Sequence, residues 1–106
     1  VTDFRFYDTY YTERFLGAIA DHKNYEQSSL LPDADKLSVP VMIIHGLADD
    51  NVLLANSLHL SSALLAAGKA HEVLPLTGVT HMTSQEVVAE NLMHLELDFL
   101  KRSLKI

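Results

Sequence analysis

Apolar residues are unevenly spread along this chain. Val41-Met42-Ile43-Ile44-His45 is a continuous apolar run bounded by Pro40 and Gly46. A run without alternation predicts a strand buried on both faces, as in a parallel sheet. A polar turn follows, Gly46-Leu47-Ala48-Asp49-Asp50-Asn51. From about residue 52 to 67, Leu54, Leu58, Ser61/Ser62 and Leu65 recur at helical spacing, and Gly68 closes the segment. Residues 70–76 read as a second strand with Pro75 near its end, and residues 77–82 as a loop. A final helix is predicted from about 83 to 103. Val88, Leu92, Leu95 and Phe99 form its apolar stripe, and Lys101, Arg102 and Lys105 complement its C-terminal dipole. The pattern before residue 40 is weaker. Residues 1–31 mix aromatic and polar positions, with a short helix over 12–16, Thr12 as its N-cap and Gly17 at its end. Residues 32–39 are turn-like, with Asp33 and Asp35 as candidate caps of one helical turn that Pro40 stops.

Strand, helix, strand, helix is the order of an α/β fold with a right-handed crossover. Two parallel strands are too few for such a sheet. The strand at 41–45 needs cover on both faces and partners on both edges. The expectation is a partial domain over 1–106, with the rest of the sheet supplied from outside this sequence or by another copy.

Composition narrows the class. The chain has 106 residues, 48% of them hydrophobic, which is one domain's worth of sequence and too apolar for disorder. No run approaches the ~18–20 apolar residues of a membrane span, and VTDFRFYDTY lacks a charged-then-apolar leader pattern. A net charge of −6 offers no electrostatic footprint for nucleic acid or an anionic membrane. The absence of cysteine excludes a disulfide scaffold, a thiolate zinc site and a cysteine nucleophile. No H-E-x-x-H pair or other ligand spacing points to a metal, and the four isolated glycines form no phosphate loop, so no cofactor is expected.

Two residues stand where chemistry gathers in open α/β sheets, at the carboxyl ends of the strands. Asp49 follows the first strand and His81 follows the second. Adjacent parallel strands would set these two loops side by side. A carboxylate accepting a hydrogen bond from one imidazole nitrogen fixes the tautomer and frees the other nitrogen to take a proton from a hydroxyl. Taken singly, each residue has an ordinary reading: Asp49 as the cap of the following helix, His81 as an idle loop histidine. His45 reads as a satisfied core histidine or as one that supports a site from behind, rather than as a ligand; His59 and His94 read as helix residues, and His22 and His71 as exposed. The Tyr/Phe cluster at 4–15 reads as core, as interface, or as the aromatic wall of a substrate pocket. None of the serines sits in the G-x-S-x-G elbow of an α/β-hydrolase, whose chain order is Ser, Asp, His. On that order, this chain holds the last two members and not the first.

Two segments carry a family resemblance. Tyr7-Asp8-Thr9-Tyr10-Tyr11-Thr12-Glu13-Arg14-Phe15 is similar to the Y-D-x-x-Y-T-E-R-[YF] segment of the dipeptidyl peptidase IV branch of the prolyl oligopeptidase family. His45-Gly46-Leu47-Ala48-Asp49-Asp50-Asn51-Val52 resembles that branch's H-G-x-A-D-D-N-V. The resemblance implies the C-terminal βαβα portion of an α/β-hydrolase fold, with parallel strands flanked by helices. It implies Asp49 as triad acid and His81 as base, and Tyr7 and Tyr11 lining a small pocket for proline or alanine. Val52 would add to that wall, Asn51 would contact a substrate backbone carbonyl, and Asp50 would support the turn. The family usually has an acidic residue before the histidine and a glycine after it; this chain has Thr80 and Met82. The implied activity is removal of N-terminal dipeptides after Pro or Ala, with the serine and a β-propeller upstream and a homodimer formed through the helices at 52–67 and 83–103. The alternatives are another hydrolase of the family, such as an acylaminoacyl peptidase or esterase, or a segment acting mainly as an association surface.

Overall fold

The computed structural model describes all of residues 1–106. A short 3-10 turn, Phe4–Phe6, opens the chain. The buried Asp3 carboxylate holds it by accepting from the Arg5 amide and guanidinium and from the Ser29 hydroxyl. Helix α1 spans Thr9–Leu16. Its N-cap is Asp8, whose Oδ1 accepts from the Tyr11 N–H at 2.8 Å. The expectation of Thr12 as the cap is therefore corrected: Asp8, a stronger capping residue, starts the helix one turn earlier, and Thr12 lies buried inside it. Gly17, at φ +83, ends α1 as expected.

Helix α2, His22–Ser28, was not foreseen. Its sequence, HKNYEQS, has almost no apolar pattern. Tyr25 anchors it, buried and donating its hydroxyl to the Gly17 carbonyl at 2.8 Å. A second 3-10 segment, Leu31–Lys36, follows with Pro32 in its first turn. Neither Asp33 nor Asp35 caps it; Asp33 pairs with Lys36 one turn on.

Strands β1, Met42–Gly46, and β2, Glu72–Leu76, pair in parallel with Met42 opposite Glu72 and Gly46 opposite Leu76. The crossover between them is helix α3, Ala55–Ala66. Pro75, which has no N–H to give, fits a strand whose outer edge carries no partner in this two-stranded sheet. The core sits on one face of β1, where Ile43 packs with Leu64 of α3 and Ala34 of the 3-10 segment, flanked by Leu37, Val41, Leu60 and Ala63.

The residues α3 turns inward differ from those expected. Ser57, Leu60 and Leu64 face the core, while Leu58 and Leu65 are exposed. Leu58 and Leu65 lie on one side of this helix and Leu60 and Leu64 on the other, so the leucine spacing alone does not choose a face. Docking of its first turn does. The Thr2 amide and hydroxyl bond to Asn56, and Phe6 stacks on His59 with ring centroids 4.3 Å apart. His71, expected at the surface, is half-buried, bonded to Ser61 at 2.6 Å and to the Lys69 carbonyl at 2.9 Å.

Helix α4, Glu86–Leu104, buries no residue fully and starts three residues later than expected. A fork ties its end to the sheet: Arg102 reaches both Glu72 carboxylate oxygens, at 3.0 and 3.2 Å, and Asp98 at 2.9 Å. Val87, Met93, Leu95, Leu97, Leu100 and Leu104 remain exposed. No helix is long and apolar enough to cross a membrane.

Candidate active site

The two loops beyond the strand ends meet because position 46 has no side chain. A Cβ on Gly46 would lie 2.3 Å from the Val79 carbonyl oxygen and 2.7 Å from that of Thr80. With glycine there, the loop after β2 lies directly on the end of β1. The Leu47 amide then donates to the Leu76 carbonyl at 2.9 Å, and the Ala48 amide to the Val79 carbonyl at 3.0 Å.

Asp49 occupies the turn so pinned. Its Oδ1 accepts from the amides of Asn51 and Val52, each at 2.9 Å. Its Oδ2 lies 3.0 Å from Nδ1 of His81. The ordinary reading of Asp49 as a helix cap does not hold, since α3 begins further on, at Ala55, with no side-chain cap. The carboxylate side chain is only 7% exposed, the imidazole 45%. Burial is the largest single influence on Asp49 and pushes its pKa up. The hydrogen bond from His81, the Val52 and Asn51 amides and the charge on His81 together outweigh it, and the net shift is downward. Asp49 is thus an ionised acceptor at neutral pH. It holds the Nδ1 side of His81 and leaves Nε2 as the nitrogen available to a hydroxyl.

The aromatic residues approach the same turn from the other side. The Tyr7 hydroxyl donates to Oδ1 of Asn51 at 2.8 Å. Tyr7 and Tyr11 meet edge to face, centroids 5.7 Å apart, and Tyr11 continues onto Phe15 at 4.8 Å. Tyr7, Asn51, Asp49 and His81 therefore form one chain of hydrogen bonds. Val52 joins it through its amide and lines, with Ile44, Asp49, Leu76, His81 and Leu92, an open cavity of about 340 Å³. Neither tyrosine lines that cavity; both belong to the neighbouring aromatic cluster. Asp50 is exposed and makes none of the bonds that hold the turn.

One neighbour of the acid, read from the sequence only as a core or supporting histidine, was not connected to Asp49. His45, 8% exposed, places Nε2 2.7 Å from the Val52 carbonyl and 3.4 Å from Oδ2 of Asp49, with Nδ1 2.6 Å from the Ser57 hydroxyl. The signals were a histidine at the strand end before a glycine and its place at the head of the His45–Val52 segment.

A two-stranded parallel α/β unit with a carboxylate–imidazole pair at its strand ends is a recognisable part of an α/β-hydrolase. The chain belongs to the prolyl oligopeptidase family, whose profile matches residues 1–106. It is 31% identical to the pig protein named dipeptidyl peptidase 4 over 106 residues, 96% of this chain and 14% of that protein. It is 34% identical to dipeptidyl peptidase family member 2 of Caenorhabditis elegans over 97 residues, 90% of this chain and 11% of that protein. The crystal structure of Porphyromonas gingivalis dipeptidyl peptidase 4 superposes with a TM-score of 0.91 at 32% identity, covering 97% of this chain and 15% of that one. The resemblance to the dipeptidyl peptidase IV branch thus holds along the chain, and the fold is a partial α/β-hydrolase. The chain spans about a seventh of the length of the pig relative.

Proposed function

We propose that this chain supplies the acid and base of a serine dipeptidyl peptidase, with the nucleophilic serine outside residues 1–106. The observation that carries the reading is the 3.0 Å contact between the nearly buried Asp49 carboxylate and Nδ1 of His81. In this mechanism Nε2 of His81 takes the proton of the serine hydroxyl as its oxygen attacks the peptide carbonyl. Asp49 keeps the imidazole oriented and stabilises the imidazolium. His81 then gives the proton to the departing amine, leaving a dipeptidyl ester on the serine. Water, deprotonated by the same nitrogen, releases the dipeptide.

Tyr7 and Tyr11 offer flat apolar faces to a prolyl ring or an alanyl methyl next to the scissile bond. Because Oδ1 of Asn51 is occupied by the Tyr7 hydroxyl, its amide nitrogen keeps its protons for a substrate carbonyl. The partners of this reading are a peptide with Pro or Ala second, the remainder of the catalytic domain, a β-propeller, and a second copy. The exposed leucines of α4 suit the last.

The test is hydrolysis of a prolyl dipeptide amide by the intact peptidase and by residues 1–106 alone. The intact enzyme should turn over and the isolated segment should not. His81→Ala should nearly abolish turnover; retained activity would refute the assignment. Preference for an N-acylated over a free-amine substrate would instead favour an acylaminoacyl peptidase.

A further inference from the structure

We infer that His45 is a positioning residue for the Asp49–His81 pair, acting through the Val52 peptide; the inference rests on the reading above. Alternation along β1 turns His45 to the face that carries Ile43, toward α3. Its surroundings fix its tautomer. The Val52 carbonyl can only accept, so Nε2 carries a proton. In the neutral ring Nδ1 is then an acceptor, and the buried Ser57 hydroxyl, 2.6 Å away, donates to it. Ser57 therefore orients His45, and His45 orients the turn.

The consequence lies in how Val52 is held. Its carbonyl is fixed by His45 at 2.7 Å, and its own N–H is one of the two donors to Oδ1 of Asp49. The Nε2 atom itself lies 3.4 Å from Oδ2, the oxygen that faces His81. With His45 in place, the Val52 amide is held against Oδ1 of Asp49, which aims the carboxylate at the His81 ring. A hydrocarbon at position 45 would fill similar space and supply neither contact. The Val52 carbonyl would lose its donor, and the turn would be free to rotate Asp49 away.

Three variants of the intact peptidase test this. His45→Leu should lower kcat by up to ~10²-fold, the loss that follows a displacement of about 1 Å in a reacting constellation. Its KM should change less than about threefold, because His45 is 8% exposed and both of its ring nitrogens are bonded within the protein. His45→Gln restores an N–H within reach of the Val52 carbonyl and should recover most of kcat. Ser57→Ala, a milder change, should fall between them. In a crystal structure of His45→Leu, the Asp49–His81 contact of 3.0 Å should open, and in His45→Gln it should persist. The inference is overturned if His45→Leu keeps kcat within twofold, if His45→Gln is no better than His45→Leu, or if the contact is unmoved in the leucine variant. Should the unsubstituted enzyme fail to cleave prolyl dipeptide amides, the proposed function falls. The distance in the His45→Leu structure still decides the positioning role.

Discussion

Gly46→Ala tests the close approach that brings the two loops together. The new methyl would meet the Val79 oxygen at 2.3 Å and the Thr80 oxygen at 2.7 Å, whereas real Cβ contacts essentially never fall under 3.0 Å. Both obstacles are backbone, so no side-chain rotation relieves them. The loop after β2 has to retreat, and it carries His81 one residue beyond Thr80. Overpacking of this kind costs about 1–3 kcal/mol through forced backbone shifts. The damage to chemistry should be larger than the damage to folding. A misplacement of about 1 Å in a reacting constellation costs ~10²-fold in rate, and the Ala48–Val79 hydrogen bond that registers the loops is strained with it. The assay is kcat/KM on a prolyl dipeptide amide beside a thermal melt of the same preparation. The expected result is a fall in kcat of about two orders of magnitude with a lowering of Tm by only a few degrees. Full activity with an unchanged melt would refute the claim that Gly46 sets the approach of His81.

Further consequences follow from individual contacts. The Asp49 pKa lies below its ordinary 3.8 in the folded state. Its ionised form therefore contributes stability above that value, lost as pH falls through the folded pKa. The Tm difference between the native protein and Asp49→Asn should accordingly shrink in melts taken below about pH 4. Tyr7→Phe removes the hydroxyl that donates to Asn51. A net hydrogen-bond contribution of about 0.5–1.5 kcal/mol predicts a rise in KM of roughly two- to tenfold with kcat little changed. Arg102→Ala removes the fork to Glu72 that ties α4 to β2. Hydrogen exchange should show faster exchange along residues 95–104, with no change in the Asp49 turn.

Particular residues show what was legible in the sequence. The VMIIH run between Pro40 and Gly46 announced β1 because an unbroken apolar stretch suits a doubly covered strand. The pairing of β1 with β2, and hence the meeting of Asp49 with His81, follows from topology, since successive parallel strands put both loops at one end of the sheet. Helix α2 was illegible because tertiary bonds, Tyr25 to Gly17 and Asn24 to Leu16, hold it in place of any periodicity. The buried face of α3 was misjudged because leucines on two opposite sides leave the choice to its docking partners, here Thr2 and Phe6. Asp8 was passed over as the α1 cap because the apolar pattern begins only at Phe15. The grip of His45 on Val52 could not be read at all: whether a buried histidine bonds a loop carbonyl depends on the fold of the turn, not on spacing along the chain.

In the proposed mechanism Asp49 and His81 act as one unit on a serine from outside residues 1–106. A crystal structure of the intact peptidase with a prolyl boronate bound covalently to its serine tests it directly. Nε2 of His81 should lie about 2.6–3.2 Å from the serine oxygen, with Asp49 still against Nδ1. A structure in which another imidazole faces that serine, or in which a different carboxylate holds His81, would contradict it.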